Sequence, residues 1–330
     1  MYSHDEAIDI GFIGLGAMGK PMVVNLAKKL PRGSRLYIYD VVPDAMDELS
    51  ASFPDIIVRC TCARDVAKHG EIVLTMLPEG SHVKSVYLDD VNGILAALDN
   101  PAHLTATSIL IDCSTIDTAT NLYIKQQLLD KSPMPHSFYD APVSGGVLGA
   151  VNGTIAFFLG CSEHDGYFPG IANFLSLIGE KIIPCGGSSL GLAAKLSNNY
   201  LSGIITIACS EAMDMGMRAG IDPRTLAAVF KAGTAQNTIC DVFNPVPGVC
   251  PDAPPSKGYQ GGFRVGLMKK DMGLAVAMAR RLGTRNVLGM TGLGVYTAAA
   301  EAQETKDLDS RVVYRYLGGQ EDWQQNQEVD

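Results

Sequence analysis

Residues 8–30 read IDIGFIGLGAMGKPMVVNLAKKL. A short apolar run, Ile8–Ile13, meets Gly14, Gly16 and Gly19 in the spacing G-x-G-x-x-G, and a segment of helical periodicity follows. In a strand–turn–helix unit such glycines let the chain turn tightly, bring its backbone close to a pyrophosphate and pack the helix on the sheet. The helix N-terminus then offers N–H groups to the phosphates. The spacing alone is weak, but Asp40 follows at the end of RLYIYD (35–40), as the full fingerprint of a dinucleotide site requires. Gly14, Leu15, Gly16, Ala17, Met18, Gly19 and Asp40 are therefore the candidate cofactor-binding residues. A carboxylate at 40 accepts from both ribose hydroxyls and repels a 2′-phosphate, so NAD is expected over NADP.

Outward from this unit, IVLTML (72–77), SILID (108–112), FYDAPV (138–143), TIAFFL (154–159) and KIIP (181–184) are further short runs rich in β-branched or aromatic residues. Helical periodicity between most of them predicts βαβ units and a largely parallel sheet. Beyond CGGSSLG (185–191) the pattern changes to apolar residues at three- and four-residue spacing over 192–217, 226–230, 267–282 and 287–302. The reading is α/β: an NAD-binding, Rossmann-type doubly wound sheet at 1–189, then an all-helical C-terminal domain at 190–330 for substrate and oligomerisation, opening with a long interdomain helix. The proline-rich FNPVPGVCPDAPPSKGYQGGF (243–263) is too poor in helix formers to be a helix. It is either a functional loop or a surface excursion. The tail QEDWQQNQEVD (320–330) reads as a polar, frayed end.

The chain has 330 residues, 47% of them hydrophobic, which is ample for a packed core. A net charge of −9 disfavours nucleic acid and anionic membranes as partners, because such binding draws on clustered Lys and Arg. The apolar stretch from Leu196 to Met217 is broken by Ser197, Asn198, Asn199, Ser202, Glu211 and Asp214, so no membrane span is expected. Eight scattered cysteines, several within apolar runs, predict reduced thiols. Cys60-x-Cys62 has no matching second pair, and no metal is expected. The N-terminal stretch resembles neither a secretory signal nor an Arg-rich transit peptide, which predicts a cytoplasmic protein; a removed presequence would make it mitochondrial.

Ligands of open α/β sheets lie beyond the carboxyl ends of the strands. MLPEGSH (76–82), DCST (112–115) and PVSGG (142–146) fall there, placing Leu77 and Pro78 as cofactor walls and Thr115 as a hydroxyl donor. The Ser144 hydroxyl and the N–H groups of Gly145 and Gly146 can converge on a substrate carboxylate. In GLAAKLSNNY (191–200), Lys195 and Asn199 project from one helix face amid leucines and alanines. A lone lysine there usually snorkels to water. Behind a dinucleotide fold, a partly desolvated lysine suits the proton transfer that accompanies hydride transfer. Of the six histidines, His4, His69, His136 and His164 sit in polar, loop-like settings, His103 follows Pro101 and Ala102, and His82 lies in the cofactor segment.

GFIGLGAMG, YDV, TMLP, DCSTID, APVSGGVLGA, GLAAKLSNN with EAMDMGMRAGID, and LMKKDMGLA resemble, in order and spacing, the β-hydroxyacid dehydrogenases. NPVPGV and YQGGF narrow the resemblance to members that act on 3-hydroxyisobutyrate. The resemblance runs from about Ile8 to Gly318 and implies oxidation of 3-hydroxyisobutyrate to methylmalonate semialdehyde with NAD, in valine breakdown. It also implies that Lys195 is the acid/base, that Asn199 orients the substrate and that Ser144, Gly145 and Gly146 hold its carboxylate. Lys270 would lie at the cofactor, with Asp271 in the same motif, and Leu77, Pro78, His82 and Thr115 would contact NAD. A homodimer or homotetramer is implied as well. The chain departs from the family at Asn237-Thr238, where a Cys-Trp pair is frequent. Alternatives are a reductase of the tartronate or succinic semialdehyde type, and a non-catalytic dinucleotide-binding protein; relatives of the latter kind lack the lysine.

Overall fold

The computed structural model describes residues 6–98, 109–131 and 137–323. His4, His103 and His136 lie outside these residues, as does the tail after Trp323. The chain divides into two compact units, Met1–Lys195 and Leu196–Asp330.

In the first unit β1 (Asp9–Ile13), β2 (Arg35–Tyr39), β3 (Ile57–Arg59), β4 (Ile72–Thr75), β5 (Ile109–Asp112) and β6 (Ser137–Asp140) form one sheet in the order β3-β2-β1-β4-β5-β6. Every neighbouring pair is parallel. Alternate side chains point to opposite faces of a strand, and the two faces here feed separate cores. Leu36, Ile38, Ile72, Leu74 and Ile111 pack with Met22, Leu26 and Leu49. Tyr37, Val73, Leu110 and Phe138 pack with Val66, Val83 and Ile124. The helices that cover these faces are α1 (Gly19–Lys29), α2 (Pro43–Ser52), α3 (Ala63–His69), α4 (Gly80–Leu88), α5 (Ile94–Leu98) and α6 (Thr118–Lys131). Strand order reverses between β1 and β4, and a crevice at the carboxyl ends of such a pair is where these sheets take ligands.

The run FYDAPV does not form one strand. Pro142 has no N–H for a ladder, and the segment divides into β6 and β7 (Val143–Ser144) in different sheets. After α7 (Gly146–Asn152), β7 pairs antiparallel with β8 (Ile155–Leu159). Following α8 (Phe168–Leu175), β9 (Gly179–Pro184) pairs parallel with β8.

The change of unit falls inside α9 (Leu190–Arg218), so this one helix begins in the first unit and continues in the second. There it is followed by α10 (Pro223–Ala232), α11 (Thr238–Val242), α12 (Val265–Arg281), α13 (Gly289–Glu301) and α14 (Val313–Tyr316). Ile207, Met268, Met272, Tyr296 and Ala299 from α9, α12 and α13 share one core. The second unit is helical, and its β content among the described residues is one isolated bridge, Arg264 with Asp309.

The 243–263 segment is built into that unit rather than lying over it. Asn244, Val246, Ala253 and Tyr259 are buried, the Tyr259 hydroxyl donates to Pro245 O at 2.9 Å, and Pro254–Lys257 make a single 3-10 turn. The start of the tail is not frayed either. Trp323 is buried, its indole N–H donates to Pro247 O at 2.8 Å, and Arg224 lies over its ring. A large apolar ring with one donor is held wherever both needs are met.

Candidate active site

The glycine loop leaves β1 at Gly14, whose φ of +97° belongs to the left-handed region that a side chain disfavours. A Cβ there would also overlap Met76 O. Gly14 N–H donates to Tyr39 O at 3.0 Å, and the next amide, Leu15 N–H, donates to Asp40 Oδ2 at 2.5 Å. Asp40 Oδ1 accepts the Val42 N–H at 2.8 Å. Asp40 is thus fixed against the loop by backbone amides, and its two oxygens keep lone pairs for further donors. Gly16 and Ala17 are exposed, and a Cβ built at Gly16 meets nothing within 4 Å. The helix cap at Met18 carries no side-chain hydrogen bond. Open space, a helix N-terminus and a half-buried carboxylate at the next strand end fit a dinucleotide: diphosphate at the amides, ribose at Asp40.

The neighbouring strand ends are tied together. Met76 N–H donates to Ile13 O at 2.9 Å, and Leu77 N–H donates to Ser114 Oγ at 2.9 Å. This holds Leu77 beside both the glycine loop and the DCST segment. Pro78 and His82 are exposed at the start of α4, and Thr115 is half-buried. Beneath them lies Asp112, which the sequence reading did not single out. It is fully buried, accepts from Thr75 Oγ1 at 2.7 Å and Ser114 N–H at 3.2 Å, and its Oδ2 has no hydrogen bond. Burial pushes its carboxyl up to about 6, against the pull of Ser114 and Thr75.

Ser144 is half-buried in β7, opposite Ala156. Gly145 and Gly146 follow at φ +133° and +63°, both exposed. Two successive positive φ values turn the chain so that its amides open to solvent, which side chains at these positions would resist. His69, by contrast, stacks on Tyr37 at 4.6 Å and is part of the packing.

The foot of α9 is held by a residue fifty positions earlier. Asp140, at the carboxyl end of β6, accepts the Ser189 N–H at 2.7 Å and the Leu192 N–H at 2.8 Å, one on each oxygen. The Ser189 hydroxyl itself is turned to Thr118 O, to which it donates at 3.0 Å, and its φ is +66°. At Gly191 a Cβ would overlap Phe158 O and crowd Asp140 Oδ2, so only glycine admits the carboxylate. Burial raises the Asp140 carboxyl, opposed by the Leu192 and Ser189 amides.

Lys195 and Asn199 follow on this helix, 7% and 6% exposed. A snorkelling lysine would expose its end, and this one does not. Asn199 Nδ2 donates to Asp271 Oδ2 at 2.6 Å, while Asn199 Oδ1 accepts from Asn198 at 3.1 Å. Asp271, 2% exposed, also lies 3.4 Å from Lys270 Nζ through Oδ1. In the second unit the structure thus joins Asn199 to the LMKKD motif through Asp271, a link across 72 residues. Neither Asp140 nor Asp112 stood out in the sequence, although each is an acid closing an apolar strand, and that position was the available signal.

Among the described residues no helix is long and apolar enough to cross a membrane, and no group of three or more His, Cys, Asp or Glu is placed to hold a metal. Comparison with known proteins gives two adjoining matches. The profile of the NAD binding domain of 6-phosphogluconate dehydrogenase matches residues 9–187, and the profile described as NAD-binding of NADP-dependent 3-hydroxyisobutyrate dehydrogenase matches 189–317. The 3-hydroxyisobutyrate dehydrogenase of Pseudomonas aeruginosa is 37% identical over 95% of this chain and 99% of its own. The human mitochondrial 3-hydroxyisobutyrate dehydrogenase is 37% identical over 94% of this chain and 87% of its own. A solved structure of the Mycobacterium tuberculosis 3-hydroxyisobutyrate dehydrogenase with L-serine superposes with a TM-score of 0.83, at 30% identity over 94% of this chain and 99% of that one. With the dinucleotide fingerprint, the parallel sheet and matches across nearly its whole length, the chain belongs to the 3-hydroxyisobutyrate dehydrogenase family of NAD-binding β-hydroxyacid dehydrogenases.

Proposed function

We propose that this chain oxidises 3-hydroxyisobutyrate to methylmalonate semialdehyde in valine breakdown, with Lys195 as the general base. The observation that carries this reading is the pair Lys195 and Asn199, both buried and one helical turn apart on α9. A charged side chain is kept from water there only where its chemistry is needed or its partners compensate.

The substrate carboxylate is received by Ser144 Oγ and the Gly145 and Gly146 amides. Asn199 gives its second Nδ2 hydrogen to the substrate while the first stays with Asp271. Lys195 Nζ takes the hydroxyl proton as hydride leaves the carbon. The hydride acceptor is NAD, held by the Gly14–Gly19 loop and Asp40, with Leu77, Pro78, His82 and Thr115 along it and Lys270 as its cationic contact. Asp40 favours NAD over the 2′-phosphorylated cofactor. The protein acts as a homodimer or homotetramer, which light scattering after gel filtration reads directly.

The test is NAD reduction by the purified protein with both 3-hydroxyisobutyrate enantiomers, 3-hydroxypropionate, glycerate, 4-hydroxybutyrate and L-serine. L-Serine is included because it accompanies the Mycobacterium tuberculosis relative and is itself a 3-hydroxy acid. The highest kcat/KM is expected with 3-hydroxyisobutyrate; a preference for glycerate or 4-hydroxybutyrate overturns the substrate. Lys195→Ala should keep NAD binding and lose on the order of 10²–10⁴ in kcat. Parental turnover by that variant sinks the mechanism.

A further inference from the structure

Two buried thiols meet between α9 and α11. Cys209 and Cys240 are 4% and 5% exposed, and their Sγ atoms lie 3.4 Å apart with Cys240 donating in one arrangement of the shared proton. Cys240 sits in the first turn of α11. The cap residue Asn237 accepts the Cys240 N–H through Oδ1 at 3.0 Å and gives an Nδ2 hydrogen to Cys240 Sγ at 3.1 Å. Hydrogen bonds from Cys209 and Asn237 bring the Cys240 thiol down to about 7, with Asp241 and burial opposing them. The same hydrogen bond and burial push Cys209 up. One sulfur is therefore poised as the nucleophile and its neighbour as the thiol that answers it. The third thiol nearby, Cys250, is turned to Asp241 O at 3.5 Å.

Access comes through α11. It has five residues, and residues 231–236, which lead into it, are exposed. Short elements at the end of exposed connectors open locally at low cost. A disulfide needs sulfurs about 2.0 Å apart, so closure asks for roughly 1.4 Å of approach, which side-chain rotation in a five-residue helix can supply.

We infer that Cys209 and Cys240 form an oxidation-sensitive dithiol that hydrogen peroxide closes to an intramolecular disulfide, clamping α11 to α9. The Cys240 thiolate attacks a peroxide oxygen; an S–O bond forms, the O–O bond breaks and hydroxide leaves, giving the sulfenic acid. Cys209 gives its proton to that hydroxide and attacks the sulfenyl sulfur; the S–S bond forms, the S–O bond breaks and the leaving hydroxide takes up a proton as water. Two thiols lose two electrons in all, and one peroxide is reduced to two waters. The inference does not depend on which hydroxy acid the protein oxidises.

The test uses the full chain, reduced, desalted and treated with hydrogen peroxide before alkylation. Two of the eight thiols should escape alkylation, the intact mass should fall by about 2 Da, and dithiothreitol should reverse both. A non-reducing digest should contain one peptide joining Cys209 to Cys240. Cys209→Ser should stop at the sulfenic acid and give a dimedone adduct at Cys240, and Cys240→Ser should leave all seven remaining thiols open to alkylation. Alanine replaces serine in either variant whose circular dichroism departs from the parent. Retention of all thiols, a linked peptide from another pair, or pair loss persisting without Cys240 overturns the proposal.

Discussion

Asp140 Oδ2 accepts the Leu192 N–H at 2.8 Å, so the first turn of α9 is capped by a strand end rather than by its own preceding residue. With the second bond to Ser189, this sets where the helix starts and how it is rotated three residues before Lys195. Asp140→Ala leaves two buried amides without partners. The variant should lose about 2–4 kcal/mol in urea unfolding, and its kcat should fall more than its NAD affinity. Unchanged kcat in a folded variant would show that the cap does not position Lys195.

The buried Asp112 costs the fold stability when ionised. Its folded pKa of about 6 lies above the unfolded value of 3.8, so the native state binds the extra proton between them. Lowering the pH through 6 towards 4 therefore relieves the cost, by up to roughly 3 kcal/mol, and raising it restores the cost. Relative to Asp112→Asn, the parent should gain stability between pH 7 and pH 4.5 in urea titrations. Parallel pH–stability curves for the two would be the contrary result.

Asn199 and Asp271 should behave as one unit. Asn199→Leu leaves the Asp271 carboxylate buried without its 2.6 Å donor, and should cost on the order of 2–4 kcal/mol. The double variant with Asp271→Leu should cost less than the two singles together, with an interaction energy of about 1–3 kcal/mol. Additive losses would mean that the bond is not energetically important.

Asp40 holds the glycine loop through Leu15 N–H, and the proposed function also gives it the choice of cofactor. Asp40→Ala removes the carboxylate that holds Leu15 N–H and would repel a 2′-phosphate. The ratio of kcat/KM for NAD over NADP should fall by about tenfold or more, corresponding to about 1.4 kcal/mol. A ratio that does not move would assign Asp40 to the loop alone.

Much of the first unit is legible because β1, β2, β4, β5 and β6 are mostly buried and the glycine spacing is completed by Asp40 at the next strand end. β3 is not, since only Ile57 of its three residues is buried while Val58 and Arg59 are exposed at the sheet edge. Its apolar run, Ile56–Val58, is only three residues long, and pairing with β2 completes the strand. The ends of FYDAPV could not be told apart by hydrophobicity, because Pro142 divides them through hydrogen bonding. α11 and α14 are too short to show a period. In the candidate site, motif residues were visible as motifs, whereas Asp140 and Asp112 were not. Their partners lie at distant positions or in backbone amides, which carry no side-chain signature.

The spacing of Lys195 and Asn199 is a property of one helix turn, and it carries a rule for sequence change. Each residue inserted between them would rotate one against the other by about 100° and move it about 1.5 Å along the axis. Length variation should accordingly not be tolerated within the four-residue interval, where even a single insertion would turn Asn199 away from the lysine's face of the helix.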